Sequence, residues 1–135
     1  MSHIEQIPAE LCWQIRHQVL CPDMDFENAK LPDDEEGIHL ALFDVNKLIC
    51  VVSLFRAGTS MQFRKFATLP DYQNKGYGTK LLNYLINVSK TEGCDRVWCN
   101  ARTNASGFYS KFGFSKTDQI FHKNGHDYVI MEKLV

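Results

Sequence analysis

The residues best suited to chemistry lie in one short run, Gln73-Asn74-Lys75-Gly76-Tyr77-Gly78. This run joins an extended apolar segment (Met61–Thr68) to a helical one (Thr79–Glu92). The first turn of a helix has backbone N–H groups without internal partners, and the helix dipole adds about half a positive charge there. Glycines let a phosphate approach the backbone, and Lys75 adds a mobile cation. The run therefore predicts a site for a phosphorylated cofactor, although a tight turn alone would show the same glycines.

The spacing of the two glycines argues against two common nucleotide-binding motifs. The P-loop requires Gly, four residues, Gly, Lys and Ser or Thr, and this run does not have that spacing. The dinucleotide-binding fingerprint has a third glycine, which is missing here. A different phosphorylated ligand is therefore favoured.

The composition is that of one soluble globular domain. The chain has 135 residues, of which 44% are hydrophobic and 23% charged, with a formal net charge of -1. That length suits a single core, so we expect one domain spanning residues 1–135. Neither nucleic acid nor a membrane is expected as a partner, because there is no strong net charge and no apolar run of ~20 residues. The N-terminal residues lack the pattern of a secretory signal, so we expect a cytoplasmic protein.

The cysteines are interpreted as small buried hydrophobes in a reducing compartment. Their number is odd, and no pair has Cys-X-X-Cys spacing: Cys12, Cys21, Cys50, Cys94 and Cys99. A nucleophilic or metal-binding cysteine is the alternative. No metal site is expected, since His122, His126 and Asp127 lie across a predicted turn and no other ligand cluster joins them.

Hydrophobic periodicity predicts the elements of the first half of the chain. A short strand (His3–Ile7) precedes a helix whose apolar face consists of Leu11, Ile15 and Val19. The helix ends at Cys21-Pro22, and an acidic loop follows over residues 23–37. An antiparallel meander comes next, with strands at Ile38–Phe43, Leu48–Phe55 and Met61–Thr68.

The second half is predicted to contain a helix, a strand, a helix and a β-hairpin. The long helix (Thr79–Glu92) has an apolar stripe and is capped by Gly93. A buried strand (Arg96–Ala101) leads to a second helix that Thr103 or Asn104 can cap. The hairpin strands are Phe114–Phe121 and Tyr128–Leu134. The element order predicts a mixed α/β fold.

Two segments of this chain resemble the signatures of the GNAT superfamily of acyl-CoA-dependent N-acyltransferases. The first is the run from Phe66 to Leu82, in which Gln73, Gly76 and Gly78 meet the pattern Gln/Arg-X-X-Gly-X-Gly/Ala. The second is the run from Asn104 to Phe114, where an Asn begins a helix, a Tyr follows five residues on, and Gly-Phe closes it. The two segments stand in the family's order, and the element order also agrees.

The resemblance implies a central, mostly antiparallel sheet with a splayed strand pair, flanked by helices. The pair would separate where Lys65–Thr68 stops pairing with Arg96–Ala101. Freed backbone groups there would bind the pantetheine of acyl-CoA as an added strand would. The cofactor-binding residues implied are Phe66, Ala67, Thr68, Gln73, Asn74, Lys75, Gly76, Tyr77, Gly78, Thr79, Asn104, Phe108 and Lys111.

Tyr109 is the catalytic residue that the resemblance implies, as a general acid toward the departing CoA thiolate. A thiol titrates near ~8.5 and a tyrosine near ~10, so a hydrogen bond is a safer role than full proton transfer. Phe108 and Phe112 share one helical face, whereas Tyr109 is rotated by about 100° from Phe108. We therefore expect a core stripe of phenylalanines and a separate phenol.

The general base stays open among six candidates: Glu27, Glu35, Glu36, His39, His122 and His126. His39 alternates with core residues on a predicted strand, and the other two histidines flank a predicted turn. The acidic stretch 23–36 falls where this family often builds the acceptor wall. It would attract a cationic amine, or else it is only a solvated loop.

We therefore expect an N-acetyltransferase that moves an acetyl group from acetyl-CoA to a primary amine by direct attack. The partners implied are acetyl-CoA and an amine acceptor, with a homodimer left open. The alternative is a non-catalytic acyl-CoA-binding or regulatory module on the same scaffold.

Overall fold

A computed structural model describes all residues 1–135 and contains one seven-stranded sheet. The strands are β1 (Ser2–Ile7), β2 (Ile38–Asp44), β3 (Lys47–Ala57), β4 (Ser60–Thr68), β5 (Arg96–Arg102), β6 (Ser115–Lys123) and β7 (His126–Leu134). Their order across the sheet is β1-β2-β3-β4-β5-β7-β6. The helices are α1 (Glu10–Leu20), α2 (Tyr77–Thr91) and α3 (Ser106–Ser110). The predicted mixed α/β fold with its meander and terminal hairpin is confirmed.

The centre of the sheet contains its only parallel pair, β4 with β5, and this pair splays apart. The strands pair only at Ser60 with Arg96, Met61 with Val97 and Gln62 with Trp98. Beyond Gln62, β4 has no neighbour on that side, while β5 continues to pair with β7 as far as Arg102. The predicted separation of the two strands is therefore confirmed, and it leaves a gap in the middle of the sheet.

A bulge in β4 lies opposite this gap. The register with β3 shifts between Val51 and Ser53, which pair with Ala67 and Arg64. Lys65 lies in the extra length of β4 and has φ +58°, a left-handed conformation that is uncommon outside glycine. A bulge bends the strand and interrupts its ladder, and so it redirects β4 as the strand leaves β5.

Two apolar clusters cover the two faces of the sheet. The α2 face is the larger, and the stripe predicted for this helix is buried there: Leu81, Leu82, Leu85 and Ile86. On the other face α1 buries Cys12 and Ile15 against Val51 and Ala67. The prediction that Leu11 belongs to this face is wrong, since Leu11 is 54% exposed. The face is turned by one residue, so that Arg16 is buried instead.

Several turns contain residues with positive φ. Two of the three hairpin connections place two residues at positive φ, Val45 and Asn46 between β2 and β3, and Asn124 and Gly125 between β6 and β7. Such a pair is the geometry of the two-residue turn that matches strand twist. Gly93 ends α2 with φ +85°, as predicted for a C-terminal cap.

The second short helix differs from its prediction. Thr103–Ala105 forms a 3-10 turn, and α3 begins only at Ser106, without a side-chain capping bond from Thr103 or Asn104. The Ser106 hydroxyl instead donates to the Thr103 carbonyl at 2.9 Å. Residues 103–105, which were expected to begin the helix, therefore form the 3-10 turn instead.

Candidate active site

The glycine run forms a concave array of backbone donors at the start of α2. The Gln73 N–H bonds to the Pro70 carbonyl at 3.3 Å, and the Lys80 N–H bonds to the Gly76 carbonyl at 3.1 Å. Between them, no backbone N–H of residues 74–79 has a partner in the protein. Asn74 and Gly76 have φ of +61° and +88°, so left-handed residues alternate with ordinary ones. This alternation is the geometry of an anion-binding nest, here placed on the positive end of a helix dipole.

The two glycines of this array have different roles. Gly76 needs its left-handed conformation, although a Cβ built there would meet nothing within 4 Å. A Cβ on Gly78 would lie 3.8 Å from the Phe66 ring, which is ordinary contact. Phe66 therefore brings the end of β4 against the first turn of α2. The open space beside Gly76 is on the solvent side, where a ligand can enter.

The side chains around this array differ in exposure and in the partners that they contact. Lys75 is exposed, with its Nζ 5.8 Å from the Tyr72 ring centroid, and can reach a ligand at the array. Thr79 lies partly buried in the first turn of α2. The Tyr77 hydroxyl instead donates to Asp44 Oδ2 at 3.2 Å, so its side chain ties α2 to β2. Burial and this hydrogen bond to Asp44 raise the pKa of Tyr77, and only its backbone N–H belongs to the array.

The end of β4 offers backbone groups to the gap. The Leu69 N–H donates to the Ile49 carbonyl at 2.9 Å. Hydrogen-bonded residues alternate along an antiparallel strand, so Ala67, which pairs with Val51, also directs its backbone groups toward β3. Phe66 and Thr68 therefore direct their backbone groups away from β3 and toward the gap. Ala67 differs from the expectation, because its backbone faces Val51 and its side chain is buried among the α1-side core.

Gln73 connects the array to this strand end. Its Nε2 donates to the Thr68 carbonyl at 3.0 Å, while its side chain is otherwise exposed. A carbonyl oxygen has two lone pairs, so Thr68 can still accept a second hydrogen bond from a ligand. Gln73 thus positions the loop rather than reaching outward.

One face of the α3 segment is open to solvent. Asn104 lies in the 3-10 turn before α3, Phe108 lies within α3, and Lys111 directly follows its last residue. All three are exposed, and Phe108 is 38% exposed although its ring packs on Phe112 at 5.2 Å between centroids. The expectation of a core stripe at Phe108 is wrong. Its face is available to a ligand.

Tyr109 occupies the side of α3 that faces β4. Its ring packs against Phe63 and Phe114, with centroids 5.6 and 6.1 Å away. Tyr109 therefore belongs partly to the core, and the expected separation from the phenylalanines is wrong. Burial, with a smaller effect of Cys99, raises the pKa of Tyr109, and no hydrogen bond acts on its hydroxyl. The phenol stays protonated and is available as a donor.

A buried polar network lies on the α1 face, and the sequence patterns did not indicate it. The Arg16 guanidinium binds both carboxylate oxygens of Asp34, at 2.9 and 3.0 Å, and donates to the Ser53 Oγ at 2.7 Å. Leu31 N–H and Trp13 Nε1 also donate to Asp34, each at 3.0 Å. Burial opposes ionisation, but hydrogen bonds from Arg16, Leu31 and Trp13 outweigh it and lower the pKa of Asp34 to about 2.

His39 is part of this network, which removes it from the candidate bases. Its Nδ1 lies 2.7 Å from Ser53 Oγ and its Nε2 lies 2.7 Å from the Asp34 carbonyl. Because the Asp34 carbonyl can only accept, Nε2–H donates to it, and Nδ1 of the neutral ring accepts from the Ser53 hydroxyl. Neither nitrogen is free to accept a proton from a substrate.

The other candidate bases are at the surface. His122 Nδ1 lies 2.8 Å from Asp127 Oδ1, and His126 packs edge-on to Tyr128, both at the tip of the β6–β7 hairpin. Glu27 pairs with Lys30 at 2.9 Å. Glu35 and Glu36 are exposed on a 3-10 turn. The structure therefore leaves the general base open.

The cysteine interpretation agrees with the structure. All five thiols are free; Cys12, Cys50, Cys94 and Cys99 are buried, and Cys21 is partly buried. Burial raises the pKa of Cys50 to about 11 and that of Cys99 to about 12, so both stay protonated. No helix is both long and apolar enough to cross a membrane.

Comparison with known proteins agrees with this geometry. The model of the acetyltransferase (GNAT) domain family matches residues 21–135. The uncharacterized N-acetyltransferase YitI of Bacillus subtilis is 29% identical over 143 residues, which covers 98% of this chain and 96% of the relative. The ribosomal-protein-S18-alanine N-acetyltransferase of Escherichia coli has the same fold, with a TM-score of 0.84 at 19% identity over 100% of this chain and 94% of that chain.

A third similar protein was solved with a ligand. A GNAT family acetyltransferase from Elizabethkingia anophelis, with acetyl-CoA bound, has a TM-score of 0.76 at 18% identity over 99% of this chain and 98% of that chain. These likenesses show that the chain shares its fold with both solved structures. The chain belongs to the GNAT superfamily of acetyltransferases, and the family prediction is confirmed.

Proposed function

We propose that this protein transfers an acetyl group from acetyl-CoA to the nitrogen of a primary amine. The observation that carries the proposal is the array of unpartnered N–H groups over residues 74–79, beside the gap between β4 and β5. Membership of the GNAT superfamily supports the same reaction class. A pyrophosphate on the array would satisfy donors that the protein itself leaves free.

The gap would receive the pantetheine arm. Phe66 and Thr68 turn backbone groups toward it, and a pantetheine amide can bond to them as a neighbouring strand would. Three exposed residues lie on the segment that follows β5, on the other side of the gap: Asn104, Phe108 and Lys111. These residues fit the nucleotide end, and the thioester would then lie near Tyr109.

The chemical step needs an uncharged amine. The amine nitrogen forms a bond to the thioester carbonyl carbon, the carbon–sulfur bond breaks, and the amine loses a proton to solvent or to a base. An alkylamine with a pKa near ~10.4 is only about one part in 2,500 neutral at pH 7, which is a handicap near ~4.6 kcal/mol. The protein can reduce this handicap by holding the amine in a poorly solvated gap, where its charged form is disfavoured.

Tyr109 would act on the leaving group. Because burial raises the pKa of its phenol, transfer of the proton to a thiolate is further uphill than in water. The same proton can be donated as a hydrogen bond to sulfur as negative charge develops there, and this bond strengthens in the transition state. We therefore assign to Tyr109 a hydrogen-bonding role, and the thiolate takes its proton from solvent.

The test is CoA release measured with a panel of neutral, cationic and anionic primary amines, together with calorimetry of CoA binding. The proposal predicts saturable binding of CoA and amine-dependent release of free thiol. Binding without release for any amine would favour the non-catalytic acyl-CoA-binding module. No binding at millimolar CoA would reject both.

A further inference from the structure

Lys65 lies at the bulge of β4, beyond the last pair that joins β4 to β5. That pairing ends at Gln62 with Trp98, so Lys65 borders the gap. Its side chain is partly buried, and its φ of +58° is a strained conformation for a residue with a Cβ. Strained backbone persists where the surrounding structure imposes it, and such positions cluster at ligand sites.

Lys65 has no counter-ion in the structure. Four other lysine or arginine side chains form ion pairs, and Lys65 is not among them: Arg16, Lys30, Arg64 and Arg96. The charges acting on Lys65 are those of Arg16, Arg64 and Lys123, together with the Cys21 thiol. Burial and these three cations lower the pKa of Lys65. A partly buried cation among cations is costly, and a bound anion would offset that cost.

The acidic stretch does not supply this anion. Two of its carboxylates are already paired with arginines: buried Asp34 with Arg16 at 2.9 Å, and more exposed Asp33 with Arg64 at 3.2 Å. Other members, including Asp23, Glu35 and Glu36, are exposed. The surface beside the gap therefore presents the positive charge of Lys65, whereas the sequence left open whether the acidic stretch forms a wall for a cationic amine or a solvated loop.

Lys65 and Tyr109 approach the gap from opposite faces of the sheet. Phe63, two residues before Lys65, packs on the Tyr109 ring within the α2-side core. Lys65 instead is near enough to Arg16 of α1, and to Cys21 directly after that helix, for both to act on its pKa. Two residues of strand span about 7 Å, so both side chains reach the same length of the gap. An acyl donor bound on the α2 side and an amine acceptor bound on the α1 side would meet there.

Given the proposed acetyl transfer, we propose that the acceptor is a primary amine that also carries a carboxylate a few bonds from the nitrogen, and that Lys65 binds this carboxylate. Free amino acids and peptides with an acidic residue next to the amino terminus have this chemistry. The ammonium of Lys65 would hold the anion while the amine points through the gap toward the thioester. Lys123, which acts on the same side chain, would add to the attraction.

The test compares matched acceptors, each an amino acid with its uncharged amide, at equal concentrations of the neutral amine. The variant is Lys65→Asn, because asparagine tolerates positive φ while it removes the charge and the long stem that carries it. Lys65→Arg keeps the charge, and Lys116→Asn on exposed β6 is the control. We expect the acid to be preferred by about tenfold in kcat/KM, and Lys65→Asn to remove that preference through KM while the amide changes by less than about twofold.

Lys65→Arg is expected to retain most of the preference, and Lys116→Asn all of it. Equal rates for acids and amides with the wild type would overturn the assignment and leave acetyl transfer standing. A Lys65→Asn variant that loses the same factor on both acceptors would show a structural role only, which also overturns it. Absence of CoA release with every amine would instead reject the proposed function itself.

Discussion

Arg16 on α1 and Asp34 in the loop before β2 form a two-point ion pair, with nitrogen–oxygen distances of 2.9 and 3.0 Å. Both side chains are at least nine-tenths buried, with side-chain exposures of 1% and 5%. Arg16 also reaches the Ala29 carbonyl and Ser53, and so one guanidinium joins a helix, a loop and β3. The pair therefore holds the loop of residues 23–37 against the sheet at β3.

The first prediction concerns the stability that depends on this pair. Asp34→Asn leaves the Arg16 charge buried without compensation, and we expect a loss of about 3–5 kcal/mol in the free energy of unfolding. Denaturant titration measures this loss. The control is Asp33→Asn, which breaks the more exposed pair with Arg64 and should cost less than about 1 kcal/mol. A similar small effect for both variants would contradict the assignment.

The second prediction is an acid dependence with a definite sign. Asp34 has a pKa of about 2 in the folded protein, against an ordinary value of 3.8. Its folded pKa is depressed, so its contribution is complete above about pH 4 and is lost as the pH falls toward 2. The shift corresponds to about 2 kcal/mol. Unfolding free energies of wild type and Asp34→Asn should converge over this window; parallel curves would show that Asp34 does not supply the effect.

The third prediction concerns Tyr109. Tyr109→Phe removes the hydroxyl and keeps the ring against Phe63, so we expect kcat to fall about 100-fold with little change in CoA affinity. Because its pKa is raised, wild-type activity should show no loss from phenol ionisation between about pH 8 and pH 10. Steady-state rates over that range measure both effects. Full turnover by the variant would remove Tyr109 from the reaction.

The fourth prediction separates backbone strain from ligand binding. Gly76→Ala forces a residue with a Cβ to adopt φ +88°, which costs about 1–2 kcal/mol or displaces the loop. Gly125→Ala is a matched control, since this glycine has φ +80° in the β6–β7 turn and a Cβ there also meets nothing within 4 Å. Both variants should lose similar stability, but only Gly76→Ala should weaken CoA binding, by at least about tenfold.

Calorimetric titration and thermal melting of the same two preparations measure the two quantities together. Equal losses of CoA affinity in both variants would point to a general destabilisation. Unchanged affinity in both would mean that the loop conformation at Gly76 does not serve the ligand.

The sequence predicted the elements whose signals are local. The stripe of α2 at Leu81, Leu82 and Leu85 follows helical spacing, and the turns at Asn46 and Asn124 carry residues that tolerate positive φ. The glycine run at the start of α2 was found for the same reason, because its residue types determine backbone conformation directly.

Features that depend on distant residues could not be predicted in this way. Arg16 and Asp34 are 18 residues apart and share no periodic pattern. The one available signal was that Arg16 lies one helical turn after Cys12, which is buried, and therefore on the same inward face of α1. The bulge at Lys65 arises from the register of β4 against β3, which no single segment encodes. Tyr109 packs on Phe63 only because β4 leaves β5 and α3 covers its end.

The most direct test of the account is backbone amide NMR of the protein during titration with CoA. The central claim is that free N–H groups of residues 74–79 bind the pyrophosphate. We predict saturable binding with the largest downfield amide shifts in residues 74–79, and smaller shifts at Phe66 and Thr68. Saturable binding that leaves the amides of 74–79 unmoved, or no binding at millimolar CoA, would contradict the claim.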